Sequence, residues 1–177
     1  FVPPVDIEND AKTVEFSVPL TGEVMVFFKT SEGVLSDSNV RKALVLASNP
    51  KDVISSISYP LKSVDGPLLS THAGYNKAYA QKTDDITQAK ALLDQAGWVL
   101  NPQTGLRTKD NKPLKFQLAA EDTEEYRDVT ETLKKQWKEL GVELDVKLQD
   151  EDELKTTVSS HNYDSLLYAI SIGADPD

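Results

Sequence analysis

Polar chemistry in this sequence gathers just past its apolar runs. Ser171-Ile-Gly-Ala-Asp-Pro-Asp177 follows the run Leu166-Leu-Tyr-Ala-Ile170. Asp175 and Asp177 could hold a cationic group or a metal ion, or could cap the backbone N–H groups of a proline turn, as aspartate does routinely. Ser171, Ile172 and Gly173 offer backbone contacts, because glycine lets a solute approach the chain closely. Ala120-Glu-Asp122 ends another run, Leu114–Leu118. There Glu121 is the candidate for direct contact, Ala120 stands beside it, and Asp122 reads as a helix cap with Glu125 three residues on. Phe28-Lys-Thr30 ends the run Val24–Phe28, where Lys29 could pair with a solute carboxylate or stay solvated.

The pattern suits binding better than reaction. No nucleophile elbow, phosphate loop or G-x-G-x-x-G fingerprint is present, and a chain this acidic brings carboxylates together by chance. His72 and His161 are isolated, whereas zinc sites want three or four clustered ligands; both read as loop or surface residues. Asp150-Glu-Asp-Glu153 reads as a helix start, where carboxylates meet the positive dipole end, rather than as a calcium loop. Trp98 and Trp137 read as core. No cofactor or metal is predicted.

Composition narrows the partners. The 19 basic and 29 acidic residues leave a net charge of -10. That disfavours nucleic acid and anionic membrane surfaces, both of which reward lysine and arginine. The absence of cysteine excludes disulfides and thiolate chemistry. No apolar run approaches the ~18 residues of a membrane span.

The elements that must position these residues follow from periodicity. Thr13–Val18 and Val24–Phe28 read as strands joined by a turn at Pro19–Gly22. Val40, Ala43, Leu44 and Ala47 mark a helix capped by Ser36 or Asp37, and Asn49-Pro50 opens a second short one. Residues 58–84 carry prolines, glycines and tyrosines without a period, a loop long enough to line a binding surface or cross another domain. Asp85 caps a helix over Ile86–Ala96 that Gly97 stops. Trp98–Lys109 reads as an exposed hairpin. The last third is a strand at Leu114–Leu118, a helix facing inward with Tyr126, Val129, Leu133, Trp137 and Leu140, and a strand over Val142–Leu148. A short helix around Leu154 and Val158 then leads to a final strand through Leu166–Ile172, apolar on both faces and so read as central. This β-α-β-α-β order predicts right-handed crossovers and a mostly parallel sheet flanked by helices, an α/β fold. In such sheets ligands sit at the carboxyl ends of the strands.

Several segments in order resemble one family, the extracytoplasmic solute-binding proteins of ABC importers of the oligopeptide and dipeptide type (family 5). They are Val26-Phe-Phe-Lys-Thr30, Leu35-Ser-Asp-Ser-Asn-Val-Arg-Lys-Ala-Leu44, Asn49-Pro-Lys-Asp-Val-Ile54 and Ala89-Lys-Ala-Leu-Leu-Asp-Gln-Ala-Gly-Trp98. The Leu114–Leu118 strand, Leu140-Gly-Val142, Tyr163-Asp164 and Asp175-Pro-Asp177 follow. The resemblance implies a periplasmic-binding-protein-like (type II) lobe, closing with a second lobe on a solute that passes to a membrane permease. Residues 1–177 would be most of the C-terminal lobe as a single domain, with 1–12 as a lead-in. The other lobe, the C-terminal return and a signal segment are expected outside this sequence. The implied protein is a monomer outside the cytoplasm, either periplasmic or lipid-anchored at the outer face of the cell membrane. It would have a peptide or other small-molecule solute and an ABC permease as partners, and no enzymatic activity.

Peptide-binding members commonly place an aspartate just before the Asp-Pro-Asp segment to pair with the peptide amine. Ile172 stands there in this sequence, Tyr168-Ala169 replaces a Gly-Trp, and Lys29 replaces a frequent asparagine. Another solute (a nickel complex, haem or a sugar) or a differently held peptide is therefore open, and so on fold alone is a flavodoxin-like enzyme or regulatory domain.

Overall fold

The computed structural model describes residues 22–59, 61–69, 72 and 74–171. The lead-in and the strand expected at Thr13–Val18 lie outside them. The continuous apolar run Val24–Phe28 forms most of β1 (Gly22–Phe28). Val40, Ala43, Leu44 and Ala47 are all buried on α1 (Ser38–Ala47), whose cap is Asp37, accepting from the Asn39 N–H at 2.8 Å. Asn49 caps α2 (Pro50–Ser55) by accepting from Lys51 and Asp52 N–H groups. The long segment that follows contains one short 3-10 turn, Lys77–Tyr79. His72, read as a loop or surface residue, lies in this loop but is only 8% exposed, and its Nδ1 accepts from the Leu69 N–H at 3.3 Å. Asp85 caps α3 (Ile86–Gln95), and Gly97 at φ 83° ends that helix in the left-handed conformation glycine tolerates.

The hairpin has one strand more than its sequence signals. β2 (Val99–Leu100) pairs with β3 (Arg107–Lys109), and β3 turns through Asp110-Asn111 into β4 (Lys112–Pro113). Both turn residues have positive φ, 50° and 61°, the backbone of a two-residue hairpin turn that Asp and Asn accept.

The last third forms β5 (Lys115–Glu121), α4 (Glu124–Glu139), β6 (Glu143–Gln149), α5 (Glu151–Ser159) and β7 (Ser165–Ser171). The main sheet has the order β1-β7-β5-β6. β5 pairs in parallel with both β6 and β7, while β1 is antiparallel to β7. Strand alternation then divides the core. Phe116, Leu118, Ala120 and Leu144 join Val129, Leu133 and Trp137 of α4 on one face; Ala119 and Leu166 meet Leu154 of α5 on the other.

Trp137 anchors the larger side. Its ring lies 5.6 Å from Phe116 and 6.3 Å from Phe28. Its indole N–H donates to Ser48 Oγ at 3.0 Å and to the Leu44 carbonyl at 3.2 Å, tying α4 to the end of α1.

Two expectations need correcting. The cap of α4 is Thr123, which accepts from the Tyr126 N–H at 3.3 Å; Asp122 is drawn instead to Arg127 at 2.6 Å. β7 is central, yet only Ser165, Leu166 and Leu167 are buried, while Tyr168, Ala169 and Ser171 are exposed. Its apolar composition does not make it a fully covered strand, because its second half borders open space rather than packed side chains.

Candidate functional site

The ladder between β5 and β7 is short. It comprises Leu118 opposite Ser165 and Ala119 opposite Leu166, although β5 continues to Glu121 and β7 to Ser171. Beyond those pairs the strands part at their carboxyl ends, the place where open α/β sheets hold ligands. A hollow of about 190 Å3 opens there. Glu121 lines it from β5, Tyr168 and Ala169 from β7, and Tyr126 from α4. Glu151, Leu154 and Lys155 line it from α5.

Each side chain arrives there for a local reason. Alternation along β5 turns Glu121 to the face of Ala119, which is the α5 side. Asp150 ends β6 and caps α5 by accepting from the Glu153 N–H at 2.9 Å, so the first turn of α5 starts beside the gap. One turn on, Lys155 pairs with Glu151 at 2.7 Å, the i,i+4 spacing that brings helix side chains together. The Thr123 cap sets the first turn of α4 so that the Tyr126 hydroxyl lies against the Ala169 backbone.

The electrostatics are those of an acidic, partly sheltered hollow. Burial pushes the Tyr126 hydroxyl up from its ordinary pKa, and Glu121, Tyr59 and Tyr168 push the same way. The Glu151 carboxylate raises Lys155 through a hydrogen bond and charge, with smaller contributions from Tyr168 and Glu121; Lys155 in turn lowers Glu151. Helix amino termini ordinarily attract anions. Here both already carry their own carboxylates, Glu124 and Glu125 on α4 and Glu151, Asp152 and Glu153 on α5. Among the described residues no group of three or more His, Asp and Glu is placed to hold a metal ion.

The structure divides the residues singled out from sequence. Glu121 lines the hollow. Ala120 is fully buried in the main core, so only its backbone stands at the strand end. Ser171 closes β7 opposite Gly22 and is exposed. Ile172, Gly173 and Asp175 lie outside the described residues.

Phe28, Lys29 and Thr30 are not brought to this crevice. Because β1 runs antiparallel, Phe28 faces Ser165 at the start of β7, about 20 Å along the strand from Ser171 at the usual rise per residue. Phe28 packs edge-on against Phe116 at 6.4 Å. Lys29 pairs with Glu32 at 2.5 Å and donates to the His161 carbonyl at 3.0 Å. The dent beside Lys29, also lined by Gln117 and Asp164, is a seam of satisfied groups: Asp164 Oδ2 accepts from the Gln117 N–H at 2.8 Å.

Sequence reasoning passed over Tyr126, Glu151, Leu154, Lys155, Tyr168 and Ala169 as site residues. One signal was available for Glu151 and Tyr126. Both open a helix that directly follows a parallel strand, and such first turns border the crevice.

The helix-flanked, mostly parallel sheet is an α/β lobe of the type II periplasmic-binding-protein kind, the fold of its structural neighbours. Over residues 2–177 the sequence matches the bacterial extracellular solute-binding proteins, family 5 (middle), and the chain belongs to that family. It is 30% identical over 159 residues to the oligopeptide-binding protein OppA of Lactococcus lactis subsp. cremoris (strain SK11), covering 80% of this chain and 26% of that protein. It is 29% identical over 148 residues to the nickel-binding periplasmic protein of Escherichia coli (strain K12), covering 82% of this chain and 28% of that one. In structure it is similar to the oligopeptide-binding protein AppA of Bacillus subtilis in complex with a nonapeptide, with a TM-score of 0.78 at 20% identity, covering 89% of this chain and 32% of that chain. The chain thus spans about a quarter of the length of the curated relatives it matches.

Proposed function

We propose that residues 1–177 form most of one lobe of a two-lobed extracytoplasmic receptor that captures an oligopeptide-like solute and passes it to an ABC permease. In this reading the whole protein is a monomer that binds without transforming its solute. The observation that carries it is the hollow between β5 and β7, at the ligand-bearing end of the sheet of a chain belonging to a solute-binding family. An opposing lobe would close over that end, and hinge closure would exclude water from the bound solute.

The test is the melting temperature of the two-lobed protein with and without a library of short peptides. A ligand that binds only the folded state stabilises it by RT ln(1 + [L]/Kd), about 2.7 kcal/mol at a hundredfold excess over Kd. A rise with peptides supports the reading, and no rise with any peptide at millimolar concentration refutes it. The E. coli relative's name motivates one competing solute, a nickel complex; a rise with nickel–histidine and none with peptides would favour it.

A further inference from the structure

We infer that the hollow between β5 and β7 is a subsite for a cationic group of the solute, an alkylammonium or a guanidinium. The inference rests on the reading of that hollow as a solute site and adds what the site selects. Three charged side chains line it. Glu151 and Lys155 neutralise each other at 2.7 Å. Glu121 is left as the uncompensated charge, with no hydrogen bond or ion pair to its carboxylate among the described residues.

A second acceptor stands beside it. Gln149 faces Glu121 in register on β6 and therefore points to the same face of the sheet. It is 5% exposed, and its Oε1 is buried without a donor. Buried acceptors are normally paired, so Gln149 adds an unsatisfied acceptor on the strand next to Glu121, just outside the lining of the hollow and on the far side of β5 from β7. Tyr126 and Tyr168 line the same hollow, close enough for Glu121 and Tyr168 to raise the Tyr126 hydroxyl. Aromatic faces beside a carboxylate favour a donor-rich cation. An anion would meet Glu121 and the acidic first turns of α4 and α5.

The cation could come from a lysine or arginine side chain or from a peptide amino terminus, and the probes separate these. The first experiment follows backbone amide NMR shifts of the 177-residue chain on titration with n-butylammonium and n-butylguanidinium, with n-butanol as the neutral control. The cations are expected to give saturable shifts at Glu121, Gln149 and Tyr168, weakened by salt and abolished by Glu121→Gln; n-butanol gives none. Cations that leave these amides unmoved, or shifts that survive Glu121→Gln, would overturn the inference. This arm does not depend on peptide import.

The second experiment uses the two-lobed protein and peptide pairs differing only in lysine against norleucine, each with a free or acetylated amino terminus. A charge-assisted hydrogen bond contributes about 1.5–3 kcal/mol, so roughly a tenfold or greater preference for the charged member is expected. A preference that follows lysine assigns the hollow to side chains, and one that follows the free amine assigns it to the terminus. Glu121→Gln should remove the preference for the charged member of each pair. Equal affinity for all four peptides overturns the subsite and leaves the receptor reading standing. Binding of butylammonium with no binding of any peptide would do the reverse.

Discussion

Arg107 offers a clean test of how the small hairpin is held to the main body. It is 3% exposed. Its Nε donates to the Leu140 carbonyl at 2.9 Å, and its Nη1 donates to the Trp98 carbonyl and to Asp94 Oδ1, both at 2.5 Å. The two ends of the Arg107–Asp94 pair differ sharply, since the Asp94 side chain is 63% exposed. Arg107→Met keeps the stem and leaves the Leu140 and Trp98 carbonyls without their charged donor. At about 1–3 kcal/mol for each buried group left unsatisfied, the loss is roughly 2–6 kcal/mol. Asp94→Asn removes only an ion pair with one solvated partner, worth about 0–1 kcal/mol. Urea unfolding followed by tryptophan fluorescence reads both, because Trp98 and Trp137 are buried. An Asp94→Asn loss equal to that of Arg107→Met would show that the ion pair, and not the carbonyl contacts, holds the hairpin.

Three further outcomes are expected. Gly141 sits at φ 87°, and a Cβ there would lie 2.9 Å from Arg107 Cγ and from Leu100 Cδ1; Gly141→Ala should lower stability by about 2 kcal/mol or more. Gly105→Ala is the control, at φ 71° with open space around it, and should cost only the backbone term of about 1–2 kcal/mol. Thr123→Ala should cost about 1 kcal/mol as the loss of a cap, whereas Asp122→Asn should leave the unfolding midpoint nearly unchanged because its partner Arg127 is exposed. Glu23 is 5% exposed, both its carboxyl oxygens lack a hydrogen-bond partner among the described residues, and burial raises its pKa above the ordinary 4.5 against the opposing pull of His72. A carboxyl with a raised folded pKa binds more protons folded than unfolded, so its contribution to stability falls as pH rises above about 4.5. Glu23→Gln should therefore be more stable than wild type at pH 8, with the advantage shrinking towards pH 4; an advantage that is constant across that range would refute the cause.

The helices and their caps were legible because both signals are local. Asn49 and Asp85 cap where they were expected to, Asp37 rather than Ser36 caps α1, and Asp150, read only as part of an acidic helix start, caps α5. The error at α4 is instructive. Asp122 and Thr123 are adjacent and both able to cap, so spacing alone does not choose between them. Arg127 decides it by holding Asp122 at 2.6 Å, a contact that exists only once α4 is formed. Arg107 was passed over because an arginine in a polar hairpin reads as solvated. Its burial comes from α3 and the end of α4 closing over it, which no window around residue 107 contains. The direction of β1 was hidden for a similar reason. An apolar run reads alike in parallel and antiparallel pairing, and that direction alone carries Lys29 to the end of the sheet away from Glu121.

The crevice itself has no motif to read, because it is made by a ladder that stops. β5 and β7 share only the pairs at Ser165 and Leu166, and the backbone beyond them is released from the β5 side of the sheet. Leu166 and Leu167 are buried and Tyr168 and Ala169 are not, so exposure begins within a residue or two of the last pair. Unpaired strand backbone under protein cover would need partners. Tyr126 reaches the Ala169 backbone, and the rest opens onto the hollow. That accounts for an apolar stretch, Leu166–Ile170, serving as core at one end and as a wall of the hollow at the other. It also explains why Tyr168, which composition places in a buried strand, stands beside Glu121. A substitution that extended the β5–β7 ladder by two residues would fill the hollow with backbone hydrogen bonds and stabilise the fold while removing the site.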